Sequence, residues 1–525
     1  MSTKLGLRQW LIKQRSASRL ALLLQISARV LTSATNLIWI RLLVGAMGQQ
    51  MNSLFLAFQN VLSFGGLGDL GMGGAVGVRL GQYLGMGKEK EAEMQKFLAA
   101  ARTVFLILAI FVGGTVLISS PWLPQWLHFR DTPGAGSLSA VFRVGAFLMA
   151  GVLLNSYISN INYACGNVTW PILPAFVLLQ LSLMGHYLLA AHRQPLWIQY
   201  LPYLAASITG LCLFRFYVRV SHPVLSRLWP ISFDWRMAGS LFESSVWVYL
   251  SVLGNSIYRN TDGLLINAHS GFVLGTLDYY QFNYKFCEIV VFVALTASFV
   301  ALPKITRWMA SEDPKDHERV RVEMRKLNQF QALFGCGAAL AYLAGNNLFM
   351  HVWWAHHPHP ISPATLPLQL AFALNMAVTT SGDAGIQLAI RSGKGGLRAM
   401  GLVIGGTGFI NFGLSLVAMR FDSLTGIAMA TVIAQSLLSL FASRYVCRHL
   451  QMAWLPWVLK GWLAPFVGII LAAWLRHIWP MDSAMHIFLL LGSYAIMFIA
   501  AMWAFGINIT LIKEELKIVR NLFGK

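Results

Sequence analysis

Fourteen apolar stretches, each long enough to cross a bilayer, take up nearly the whole of this chain. A helix needs about 20 apolar residues to span the hydrocarbon layer. Spans are predicted near 20–44, 51–77, 97–120, 138–162, 168–190, 196–219, 241–267, 273–303, 328–350, 364–390, 397–419, 423–446, 457–478 and 484–507. Only 11% of residues are charged and 56% are hydrophobic, whereas a soluble domain carries roughly a quarter charged residues. The expected class is an all-α polytopic membrane protein of about 14 transmembrane helices.

The distribution of positive charge sets an expected orientation. Most of the 40 Lys and Arg residues lie in the termini and the even-numbered connections, including Lys4, Arg8, Lys13, Arg15 and Arg19. Arg130, Arg193, Arg420 and Arg476 fall in odd-numbered connections. The positive-inside rule then places both termini in the cytoplasm. The net charge of +20 is read as topological, and nucleic acid is not expected as a partner because the basic clusters are short and border apolar spans. No cleavable signal peptide is expected, since the first span is longer than a signal core. Leu7 to Leu20 alternates bulky apolar with basic residues and is expected to lie along the inner surface. Five scattered cysteines carry neither CxxC nor metal spacing.

The basic, proline-containing connection from Arg215 to Arg236 suggests a division into two six-helix halves, 1–220 and 221–450, with helices 13 and 14 and a tail appended at 451–525. A weak internal repeat supports it. Gly48 and Gly275 precede the second and eighth spans, and Gly166 and Gly393 end the fourth and tenth, each pair offset by 227 residues. Parallel repeats of this kind are common in transporters. The polar stretch Thr306 to Asn328 reads as a cytoplasmic loop with a short surface helix.

Charge at bilayer depth is costly and normally faces a cavity or a partner. In the first span Gln25, Arg29, Thr32 and Asn36 share one helical face; in the seventh, Ser251, Asn255, Arg259 and Asp262; in the eighth, Asp278, Gln281, Lys285 and Glu288. Asp69, Glu243 and Asp383 sit near inner ends, where water is close. Together the stripes suggest a hydrated central cavity. Lys285 and Glu288 are also placed to pair within one helix, as are Arg259 and Asp262. Arg29 has no acid three or four residues away and is expected to meet an outside anion, for which a guanidinium fork suits phosphate.

Three stretches resemble a known family. Asp69 to Arg79, DLGMGGAVGVR, is similar to the signature ending the second span of polysaccharide flippases. Asp262 to Lys285, DGLLINAHSGFVLGTLDYYQFNYK, resembles their seventh and eighth spans, and Ser423 to Arg444 resembles their twelfth. With the span count, the chain resembles the Wzx-type lipid-linked oligosaccharide flippases, within the superfamily that also holds MATE exporters and lipid II flippases. The resemblance implies two pseudo-symmetric six-helix bundles around a central cavity that opens alternately to each side. It implies an undecaprenyl-pyrophosphate-linked oligosaccharide as substrate, moved from the cytoplasmic to the periplasmic leaflet of the bacterial inner membrane for O-antigen, capsule or exopolysaccharide synthesis. Arg29, Arg259 and Lys285 are the cations placed for the pyrophosphate, and Asn255, Gln281, Asn283, Tyr280 and Tyr284 suit sugar hydroxyls. Asp262 and Glu288 are candidates for coupling to a proton or sodium gradient, with no resident cofactor. Membrane lipids, a polysaccharide polymerase and other pathway proteins are the implied partners. Two departures stand out: 14 spans where many O-antigen flippases have 12, and no acid in the first helix.

The alternative is a MATE-type cation-coupled antiporter, in which cavity acids outnumber bases. His351 to Pro360 holds four histidines, but its proline-broken spacing reads as an interfacial loop rather than a metal site. Gly65 to Gly87 is glycine-dense without P-loop spacing, which fits helix packing and bending. No catalytic constellation stands out, so enzymatic activity is not expected.

Overall fold

A chain this apolar must satisfy its backbone internally, and among the described residues it does so with helices and no strands. A computed structural model describes residues 18–86, 91–129, 135–165, 172–221, 225, 234–273, 275–309, 313–392 and 394–459, together with 469, 473, 474 and 477. The long helices are α1 Ser18–Met47, α2 Gln49–Ser63, α3 Met72–Met86, α4 Glu91–Ser119, α5 Leu138–Ala164, α6 Ile172–Ala191 and α7 Leu201–Ser221. They continue as α8 Trp235–Ala268, α9 Thr276–Met309, α10 Pro314–Trp353, α11 Leu366–Arg391, α12 Lys394–Met419 and α13 Leu424–His449. With α2 and α3 counted together, these coincide with the first twelve predicted spans. Most of span 13, all of span 14 and most of the Leu7–Leu20 segment lie outside the described residues.

Among the described residues, seven helical segments are long and apolar enough to cross a membrane by length and composition. α8 and α11 are as long, but their polar residues lower their mean hydropathy. Large apolar side chains face outward along the helices, among them Ile110, Phe111, Ile118 and Phe409, as expected of surfaces solvated by lipid.

The chain divides into two compact units, Met1–Asp278 and Tyr279–Lys525. In the first, Met72, Phe97, Phe105, Tyr157 and Leu241 form a core between α3, α4, α5 and α8. In the second, Ile305, Met324, Ala384, Met400 and Val446 join α9 to α13. The internal repeat gains support from the geometry. A shift of 227 residues carries Gln49 onto Thr276, the first residue of α9, and Leu138–Ala164 onto 365–391, against Leu366–Arg391. Gly48 and Gly275 both hold positive φ, 78° and 102°, a conformation open to glycine at little cost. Gly166 and Gly393 lie outside the described residues.

Two local expectations are corrected. The second predicted span is not one helix: α2 ends at Ser63, a 3-10 turn covers Phe64–Asp69, and α3 restarts at Met72. Leu70 and Gly71 take positive φ there. A Cβ on Gly71 would come within 2.7 Å of the Tyr249 backbone nitrogen and 2.9 Å of the Ser245 carbonyl oxygen of α8, so the break seats on α8 only through glycine. The polar stretch from Thr306 to Asn328 is not a loop with a separate surface helix. α9 runs to Met309, and α10 begins at Pro314 and continues without interruption to Trp353. Asp313 starts it by accepting the Lys315 amide at 2.9 Å, and Pro314 at the first turn has no N–H to satisfy.

Candidate functional site

In the first unit the flippase-like DLG stretch does structural work at the helix break. One carboxylate oxygen of Asp69 accepts the Gly71 amide at 2.8 Å, and the other accepts the Ser156 hydroxyl of α5 at 2.9 Å. The guanidinium of Arg79 lies 5.5 Å from the Phe97 ring centre. The second unit contains a counterpart with the partners exchanged: Asp383 of α11 is hydrogen-bonded to Ser298 of α9. The 227-residue offset carries Ser156 onto Asp383. In each unit one carboxylate and one serine thus join a span to the next but one, the broken second span to α5 and α9 to α11.

Asp383, expected near an inner span end, has its side chain packed within the bundle at 4% exposure. Fully buried Gln331 of α10 donates to Asp383 at 3.1 Å and to Ser298 at 2.7 Å, and accepts the Ala384 amide at 3.0 Å. Sequence reasoning missed Ser298 and Gln331. The signal available was that both lie at the same depth as Asp383, one on each neighbouring span.

α8 presents two contrasting open faces. Phe242 and Val246 are exposed on one side. Asn255, about two and a half turns beyond Val246, is exposed on the other, with Arg259 one turn further along the same face. Asp262 is buried, and Ser251 turns its hydroxyl back to the Trp247 carbonyl at 3.1 Å. At the end of this unit, Asp278 is buried and accepts the Asn52 amide at 2.7 Å, while its own backbone N–H donates to Ser53 at 3.2 Å.

In the second unit α9 keeps Gln281, Lys285 and Glu288 on a half-exposed arc. Lys285 Nζ and Glu288 form the ion pair their spacing predicted, at 2.6 Å. Tyr284 accepts a hydrogen bond from Asn375 at 3.2 Å and packs on Phe372. Asn283 and Tyr280 are not available to a sugar. Asn283 is 1% exposed; it donates to the Tyr279 and Ser362 carbonyls and accepts from Asn346 and the Ala364 amide. Tyr280 is buried edge-on against Phe372. Both lie on the packed side of α9, where a residue-type argument cannot separate them from the open arc. Arg29 lies in α1, but its side chain is outside the described residues. Among the described residues no three His, Cys, Asp or Glu side chains converge as metal ligands.

Among the described residues the chain is a bundle of long helices with a broken second span and polar faces on its seventh and eighth spans. Comparison with solved structures places it more narrowly. It is similar to the lipid II flippase MurJ in an inward closed conformation, with TM-score 0.66 and 14% identity over 94% of this chain and 99% of that one. It is also similar to an inward-facing multidrug resistance MATE family transporter of the MOP superfamily, with TM-score 0.59 and 13% identity over 79% and 94%. A eukaryotic MATE transporter gives 0.50 and 12% over 87% and 99%. No protein-family model and no curated protein matches the sequence. The chain thus shares the helical fold of the first two of these solved transporters.

Proposed function

We propose that this chain is a flippase that moves an undecaprenyl-pyrophosphate-linked oligosaccharide from the cytoplasmic to the periplasmic leaflet by alternating access. The observation that carries this reading is the exposed Asn255–Arg259 face of α8, set opposite the exposed apolar face of the same helix. A membrane helix with one face for lipid and another bearing a guanidinium and an amide provides a polar surface for an anionic, hydroxyl-rich head. Moving a bare pyrophosphate through hydrocarbon is prohibitive, and a fixed cation lowers that barrier. Lys285 and Arg29 are the further cations of the proposal, with Gln281 and Tyr284 beside Lys285 in sequence on α9. The setting is the inner membrane with both termini cytoplasmic, beside a polysaccharide polymerase and other pathway proteins.

The test is transport by the reconstituted full chain. Liposomes should flip a pyrophosphate-linked polyprenyl oligosaccharide, read by the access of an added lectin or glycosidase, and should leave the uncharged polyprenol glycoside behind. Export of a lipophilic cation without movement of the pyrophosphate lipid would replace this reading with the MATE-type antiporter.

We further propose that Asp262 and Glu288 couple the cycle to a proton or sodium gradient. Lys285 is held by Glu288 at 2.6 Å, so neutralising the acid frees the cation for substrate. Glu288→Gln is expected to retain flipping while losing the response to an imposed pH or sodium gradient. An intact gradient response in Glu288→Gln and in Asp262→Asn removes both acids from coupling.

A further inference from the structure

The outer face of α13 has the profile of a phospholipid. Ile433, Leu437 and Phe441 recur at helical spacing and are each 44–45% exposed. Arg444 and Arg448 continue the same strip with steps of three and four and are exposed as well. One continuous surface therefore passes from apolar to cationic where the helix ends at His449.

The cationic end is built rather than merely basic. The Trp454 indole N–H donates to Ser443 at 3.0 Å, which fixes the ring, and the Arg444 guanidinium lies 5.7 Å from that ring's centre. Leu455 beside it is 60% exposed, and tryptophan at this level is the usual mark of the headgroup region. The bases of α10 behave differently: Arg319, Arg321 and Lys326 each have an acid three residues earlier, at 2.8, 3.0 and 3.8 Å. Among the described residues Arg444 and Arg448 make no ion pair, and Arg444 is held instead by an aromatic ring. The helix dipole favours bases at this terminus, but it does not account for the exposed apolar strip that leads into them.

We propose that this strip is a binding site for an anionic phospholipid of the adjoining leaflet, with its phosphate on Arg444 and Arg448 and an acyl chain along Phe441, Leu437 and Ile433. The apolar strip and the fixed tryptophan select a lipid headgroup over a free anion. The two guanidinium groups select phosphatidylglycerol-type lipids over zwitterionic ones, by roughly fivefold for each arginine near a membrane surface.

Native mass spectrometry of the purified, delipidated full chain, titrated with phosphatidylglycerol or phosphatidylcholine, tests this. The wild type should retain phosphatidylglycerol preferentially. Arg444→Gln with Arg448→Gln should weaken that binding by an order of magnitude or more without changing phosphatidylcholine binding. Arg319→Gln should have no effect, and Phe441→Ala should weaken phosphatidylglycerol binding with the charges intact. Equal phosphatidylglycerol retention by the double variant overturns the proposal, as does displacement of the lipid by millimolar inorganic phosphate. Helical circular dichroism and a monodisperse size-exclusion peak certify the variants. Should the double variant not fold, Arg448→Gln alone carries the test, with a roughly fivefold loss expected.

Discussion

Replacing Gln331 with leucine is expected to destabilise the second unit more than an ordinary apolar substitution in its core. Gln331 is fully buried and bridges three helices, donating to Ser298 and Asp383 and accepting from the Ala384 amide. Leucine is close to it in volume but removes a hydrogen-bond donor from the buried Asp383 side chain. Leaving buried polar groups without their hydrogen-bond partner costs about 1–3 kcal/mol, more than the contact itself contributes. For a unit of this size that corresponds to a fall of roughly 5 °C in apparent melting temperature. Heating the detergent-solubilised protein and following the folded fraction by fluorescence-detected size exclusion measures it. The diagnostic is the double variant. Gln331→Leu with Asp383→Leu removes both sides of the contact, which is often close to neutral, so it should melt above the Gln331 single variant. A single variant that melts with the wild type would mean Asp383 is satisfied without Gln331. Close packing around the site adds to the expectation. A Cβ at Gly335 would strike Thr380 and one at Gly382 would strike Ser439, so these helices have little room to relax around a lost hydrogen bond.

What the sequence disclosed and what it concealed follow from the kind of signal each feature leaves. Apolar length marks a span because it reflects solvation of the whole helix, and the first twelve spans coincide with observed helices. The offset linking Gly48 to Gly275 was legible because both residues meet the same backbone demand, a positive φ just before a second helix. Periodicity also identified the open faces: Gln281, Lys285 and Glu288 share the half-exposed arc of α9. Asn283 lies about 200° around the helix from Lys285 at roughly 100° per residue, and its polarity serves packing. Residue type without direction grouped it with the open-face residues. The Asp383 cluster was hidden for a different reason. Its members come from α9, α10 and α11, and each contributes one polar residue that is unremarkable on its own helix. Only tertiary proximity turns three isolated groups into a network. The break at Leu70 was partly legible, since the glycine density announced bending, but its seating on α8 depends on a neighbour far away in sequence.

Arg259→Ala is expected to abolish measurable flipping of a pyrophosphate-linked lipid while leaving insertion and folding intact. Arg259 is exposed on the polar face of α8, one turn from exposed Asn255, within a span whose other open face carries Phe242 and Val246. Holding a cation at that depth is costly for a helix in lipid, and removing it does not hinder insertion. Exposed beside Asn255 on the polar face, its guanidinium is in place to meet a passing pyrophosphate. A hydrogen bond to a charged group contributes about 1.5–3 kcal/mol, so losing it at the rate-limiting configuration slows transport roughly ten- to hundredfold. A bidentate contact would take the rate below detection. Arg259→Lys keeps the charge but not the planar fork and should retain an intermediate rate. Asn255→Ala, which removes an uncharged group from the same face, should have a smaller effect that depends on the sugar. The ordering of rates, wild type above lysine above alanine at equal amounts of inserted protein, is what a substrate contact requires. A packing role orders them otherwise: loss of rate would track loss of monodisperse protein, and lysine would offer no advantage over methionine at the same position. Full activity in Arg259→Ala would take this arginine out of the transport path and move the proposed anion contact to Lys285 and Arg29.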